Sequence, residues 1–204
     1  MREVHCYSNL EYVLKFNPAL KERVDEIREQ KVLGLRLKPS ASLIDKSQLL
    51  TNDARKALLD KIAFFVDENV TGRSDMCQQF AELLCLSLVK LRFVPKMMIG
   101  TVEYYDESGK QLFRWNPNGH FWVQVKGDLI DGNLDSLFEN PTVPKTLHVS
   151  PYWGPITEVP RDRKYFKNLS ATVPARDSDV QNIWWPDLSD WLDGEFLTSF
   201  REFG

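Results

Sequence analysis

The sequence predicts an α+β protein: amphipathic helices come first, an antiparallel β-meander follows, and a Pro- and Trp-rich C-terminal extension closes the chain. Up to Leu91 the apolar residues recur at spacings of three and four, the period of a buried helix face. From Met97 to Asp131 short runs of β-branched and aromatic residues replace them, separated by the turn-forming stretches DESGK, NPNG and KGD. After Glu139, prolines at 141, 144, 151, 155, 160, 174 and 186 alternate with aromatic residues, which predicts extended segments and turns.

Asn17 to Glu29 has an Asn-Pro opening and apolar Leu20, Val24 and Ile27, the pattern of a short amphipathic helix. An irregular stretch around KPSAS follows. Thr51-Asn52-Asp53 then offers N-caps for a second helix to about Asn69, with Leu58, Ile62, Phe65 and Val66 on one side and VTGRS as its breaker. A third helix is predicted from near Asp75 to about Leu91, because Phe80, Leu84, Leu88 and Leu91 share a face and Pro95 prevents continuation. The strands MMIGTVEYYD, QLFRW, HFWVQV and LID make the meander. In WWPDLSDWLDGEFLTSFREF, the helical spacing of Leu188, Trp191, Leu192 and Phe196 predicts a terminal helix docked on an apolar surface. Trp153, Trp184, Trp185 and Trp191 suit core packing, with a substrate cleft or a mask over a reactive group as the other roles open to them.

A chain of 204 residues, 43% hydrophobic and 12% aromatic, has material for one domain spanning 1–204, with its core at about 50–140 and the extension at 141–204 packing on it. A formal net charge of -3 provides no global attraction for nucleic acid or an anionic membrane. No window reaches the ~20 apolar residues of a membrane span, and MREVHCYSNLEYVLKF lacks a leader's apolar run, so the expectation is a cytoplasmic protein with no membrane association. Cys6, Cys77 and Cys85 are odd in number and lack CxxC spacing, which argues for reduced thiols. No cofactor and no metal are expected; a zinc site from Cys77, Cys85 and His120 lacks ligand spacing. Oligomeric state is not encoded in any pattern of the sequence.

The stretch SDMCQQFAELL, Ser74 to Leu84, places a thiol at a helix start. With Asp75 as N-cap and Gln78 completing a D-x-x-Q capping box, Cys77 falls at the second helical position, where free N–H groups and the helix dipole favour a thiolate. Cys85, flanked by leucines in the same helix, reads as core. A nucleophilic thiol needs a base, and of His5, His120 and His148 it is His120 that opens a strand, with Trp122 and Gln124 on its face. If Lys126-Gly127 are a two-residue loop, Val125 faces Asp128 and Trp122 faces Asp131. His120 then faces Asn133 and has Asp131 one diagonal step away, so both side chains can reach the imidazole. An Asp131 carboxylate there would orient the ring and stabilise the imidazolium. For the oxyanion, the Cys77 backbone N–H is a natural donor; Asn69 and Arg73 are candidates for a second, Arg73 also being a candidate electrostatic supporter of the thiolate.

The order of cysteine at a helix start, then histidine and aspartate on successive strands, resembles the transglutaminase-like superfamily, whose core is related to papain-type peptidases. GRSDMCQQFAELL resembles its G-x-C nucleophile region, HFWVQV its H-x-W-V-x-V strand and LIDGNLD its apolar-apolar-Asp strand end, with Asp-Gly where many members have Asp-Pro. The resemblance covers roughly Asp53 to Leu137. It implies Cys77 as nucleophile, His120 as base, Asp131 as orienting acid and Trp122 packed behind the histidine. The implied function is a cysteine-dependent hydrolase or acyltransferase of peptidase, amidase or deamidase type, acting on a protein, peptide or small amide through a thioester. The alternative is a non-catalytic binding or assembly module using its aromatic C-terminal surface.

Overall fold

The computed structural model describes residues 14–15, 17–32, 42–43, 49–66, 73, 76–115, 119–171 and 177–200. A 3-10 turn, Pro18–Leu20, leads into helix α1, Lys21–Val32, whose Val24 and Ile27 are buried. Helix α2 is Asn52–Val66 and opens on the expected cap: the Thr51 hydroxyl accepts from the Ala54 N–H at 3.3 Å. Helix α3 is Cys77–Lys90. It stops where Arg92 takes a left-handed φ of 65° and the Phe93 N–H turns back to the Leu88 carbonyl at 2.9 Å, just before Pro95. Asn69 and most of VTGRS and KPSAS lie outside the described residues.

Among the described residues seven strands form one sheet: β1 Ser42–Leu43, β2 Lys96–Tyr105, β3 Gln111–Arg114, β4 His120–Val125, β5 Asp128–Asp131, β6 Tyr152–Pro155 and β7 Arg163–Ala171. The fold is mixed helix and sheet, with the sheet curled into an antiparallel half-barrel. It is not the simple meander expected. β2 is long enough to take β4 along Lys96–Gly100 and β3 along Glu103–Tyr105, while β7 runs along its other edge. β3 is therefore an excursion from β2, closed by a turn in which Gly109 has φ 83° and Asp106 accepts from the Ser108 and Lys110 N–H groups. On the far side β6 adds to β5, and β1 pairs with β6 in parallel. The C-terminal third thus supplies strands to both flanks of the sheet, pairing edges of β2 and β5 that would otherwise lack partners.

Alternation along the strands divides the core in two. Met97, Val123, Val125, Ile130 and Trp153 join the helices in one cluster. Met98, Tyr104, Trp122, Leu129 and Tyr152 face the opposite side, where Leu134, Leu137, Val143, Leu147 and Val149 from the segment after β5 cover them. The Pro-rich stretch is thus the second wall of the sheet.

The C-terminal helix α4 (178–199) packs on α3 through Val180, Trp184, Leu188, Leu192 and Phe196, a strict repeat of four. In an α-helix with 3.6 residues per turn, a repeat of four drifts by roughly 40° at each step. Here two wider π-helical segments, Val180–Trp184 and Leu192–Phe196, keep the five side chains on the core side. The expected terminal helix is present, but Trp191 is only half-buried and Trp184 takes its place in the core. Asp177 caps this helix through the Asp179 and Val180 N–H groups, accepts from Gln79 at 3.2 Å, and gives its own N–H to the buried Glu82. Burial holds the Glu82 carboxyl above its ordinary pKa, with the nearby Asp177 charge adding to it. Among the described residues no helix is long and apolar enough to cross a membrane.

Candidate active site

Cys77 is the first residue of α3, one position earlier in the helix than the capping-box reading implied. Met76 holds the N-cap position without a side-chain hydrogen bond, and Ser74 and Asp75 lie outside the described residues. The Gln78 side chain reaches one turn along, its Nε2 donating to Glu82 at 3.0 Å, the neighbour that helical spacing puts on its face. Cys77 is half-buried, with its backbone N–H among those that have no partner within the helix.

Arg73 holds this helix start in place. Its guanidinium is buried and forms a two-pronged ion pair with Asp135, one prong at 3.0 Å, while Nη1 also reaches Asn133 Oδ1 at 3.3 Å. Its backbone N–H donates to Glu139 at 2.6 Å. Its carbonyl accepts from the Met76 N–H, from Asn133 Nδ2 at 3.0 Å and from Ser136 Oγ at 3.3 Å. These long-range partners belong to Asn133 and to the 3-10 helix Leu134–Glu139 that follows β5. The guanidinium thus binds that segment to the start of α3. Asn133, expected to reach His120, is drawn to Arg73 instead, because a buried cation and an open carbonyl both need a partner.

His120 and Asp131 meet as the two-residue loop requires. Lys126 and Gly127 have φ of 48° and 90°, the mirror-image turn that matches strand twist, and Val125 pairs with Asp128. The imidazole Nε2 lies 2.7 Å from Asp131 Oδ2, with both side chains at most 3% exposed. The Cys77 thiol lines the same cavity as the imidazole and bears on its charge, and with Nε2 taken by Asp131 the nitrogen left to face it is Nδ1. Burial opposes a charged ring, but the Asp131 charge and hydrogen bond, reinforced by Cys77, outweigh it and raise the His120 pKa to about 10. Trp115 and Trp122 lie nearly parallel to the imidazole, at 8° and 19°, each 6.3 Å away between centroids.

Two close approaches bring the helix and the strands together. A Cβ on Gly132 would stand 2.4 Å from the Phe80 ring, so its absence lets α3 press against the backbone beside Asp131. A Cβ on Gly100, opposite His120, would stand 2.1 Å from the Phe166 carbonyl oxygen, so glycine there admits β7. β7 brings a residue the sequence offered no signal for: Tyr165, whose hydroxyl donates to Asp131 Oδ2 at 2.9 Å.

Cys77, His120, Trp115, Gly119, Asn133, Ser136, Leu137 and Asn140 line a small cavity of about 20 Å³. Trp153 and Trp184 lie in the core instead, and Trp185 and Trp191 pack partly buried against it. Cys85 is core as well, its thiol pushed up to about 12 chiefly by burial. Among the described residues no group of three or more His, Cys, Asp or Glu is arranged to hold a metal ion. His5 and Cys6 lie outside the described residues. The site therefore brings a thiol, an imidazole and a carboxylate together at a small cavity whose lining carries no charged side chain beyond His120. No family model, no curated protein and no solved structure matches the chain.

Proposed function

We propose that the protein is a cysteine-dependent hydrolase or acyltransferase, acting on an amide or ester of a peptide, protein or small molecule. One observation carries this reading: Cys77, at the start of a helix, lines one cavity with His120, and His120 is hydrogen-bonded to the buried Asp131. Their order and element types also support a transglutaminase-like core as the finer description of the fold.

The chemistry follows from the geometry. Cys77 attacks the substrate carbonyl carbon as a thiolate, its proton held on the His120 imidazolium, and the carbonyl π pair moves to oxygen, near the Cys77 backbone N–H. Collapse of that adduct breaks the bond to the leaving amine or alkoxide, which receives the proton from the imidazolium. Water or an amine then attacks the thioester, losing a proton to the now neutral His120, and releases an acid or a new amide with the thiolate–imidazolium pair restored. Asp131 keeps Nδ1 directed at sulfur throughout and stabilises the charged ring. The cavity, about 20 Å³, has room for a water-sized group, and no charged side chain lines it beyond His120.

Alkylation by iodoacetamide, located by mass spectrometry, tests the pair. Cys77 should be labelled well ahead of Cys85, and His120→Ala should slow Cys77 alone by at least about tenfold. On whichever amide or ester is turned over, Cys77→Ala should abolish activity and His120→Ala reduce it by about 10²–10⁴. Labelling of Cys77 that ignores His120 would sink the proposal and leave a binding module as the alternative.

A further inference from the structure

Asp131 does not serve His120 alone. Its Oδ2 accepts from Nε2 at 2.7 Å and from the Tyr165 phenol at 2.9 Å, so a single oxygen carries both bonds. Tyr165 is held where it can do this. Its ring is tilted against Trp122 with centroids 5.1 Å apart, and its strand is admitted by the missing side chain at Gly100. Three strands, β4, β5 and β7, thus converge on one buried carboxylate.

A second donor on a carboxylate oxygen draws charge from the first bond. A buried aspartate that bonded His120 alone would hold the ring proton too tightly for a general acid, whose pKa must lie near the working pH. We propose that Tyr165 is a positioning residue of the site: by donating to Asp131 Oδ2 it limits the grip of Asp131 on the His120 proton, so that the imidazolium can release it to a leaving group. The proposal rests on the reading of Cys77, His120 and Asp131 as an acyl-transfer triad.

Tyr165 remains a donor throughout, because burial, and then the charge of Asp131, keeps its phenol well above the ordinary range. The groups that face His120 are Cys77 from α3 and Asp131 from β5; around Asp131 stand Tyr104 from β2 and Tyr165 from β7, with Arg163 of β7 beside both tyrosines. Removing the Tyr165 hydroxyl alters Asp131 directly and leaves the others in place.

The test is the His120 titration, followed by NMR on 13C-histidine-labelled protein from pH 5 to 11 in the wild type, Tyr165→Phe and Tyr105→Phe. Tyr105 is the control because its hydroxyl bonds Glu103, away from the site. The His120 midpoint should move up by about 0.5–1 in pH in Tyr165→Phe and stay in place in Tyr105→Phe. Should Tyr165→Phe fail to fold, 3,5-difluorotyrosine at position 165, a stronger donor of similar shape, should lower the midpoint. An unchanged or lowered midpoint in Tyr165→Phe, or an unchanged or raised one with difluorotyrosine, overturns the proposal. Alkylation of Cys77 in the wild type and in His120→Ala, run alongside, judges the acyl-transfer reading separately.

Discussion

A histidine with a side chain 3% exposed would ordinarily be neutral; His120 is instead pushed toward the imidazolium by one carboxylate. Asp131→Asn removes that charge and leaves the cost of burial, so the His120 midpoint should fall from about 10 to below the ordinary value of about 6.5, read by NMR. The sign for stability follows by linkage. Because the folded pKa is raised above the unfolded one, the His120 contribution is complete below about pH 6.5 and is lost as pH climbs through about 10. Urea melts between pH 6 and 10 should therefore show the wild type losing stability with pH and Asp131→Asn losing markedly less. Equal slopes would mean that the pair is not the charged one described.

At the scale of elements, the site depends on how closely α3 approaches the end of β5. The hairpin β4–β5 sets which faces His120 and Asp131 occupy, but the distance to Cys77 is set by the Phe80 ring lying on Gly132. This gives the Asp-Gly pair a physical reason: any side chain at 132 would drive the helix off the strand. Gly132→Ala should cost about 1–3 kcal/mol by overpacking, measured by chemical denaturation. It should also slow the His120-dependent alkylation of Cys77, which loss of global stability alone would not do in the folded fraction. The turn at Lys126-Gly127 and the cap at Thr51 were legible beforehand because each is a local preference with its own residue types. The π-helical segments of α4 were less so, since a repeat of four reads as an ordinary amphipathic helix until its partner surface is known.

For the molecule as a whole, the connection between the helical layer and the far side of the sheet runs through Arg73. A buried guanidinium held by Asp135, Asn133 and a tethered backbone joins the segment before α3 to the segment after β5. Removing one member of such a pair leaves the other charge buried and unbalanced. Arg73→Met should therefore cost about 3–5 kcal/mol in chemical denaturation, and Arg73→Lys, which lacks the fork, should recover only part of it. A loss under about 1 kcal/mol in Arg73→Met would show that the latch does not hold the two segments together.

The sequence by itself determined what short-range physics governs: which segments are helices, where the chain turns, and, through the two-residue periodicity of β4 and β5, that His120 and Asp131 share a face. It also singled out Cys77, because a helix start is a local feature. Only the tertiary structure decided the order of the strands, the burial of Arg73 against Asn133 and Asp135, the contact of Phe80 with Gly132, and the bond from Tyr165 to Asp131. Each of these joins residues far apart in the chain, and pairings of that kind are chosen by which edges and apolar faces remain to be covered, a choice no local pattern records.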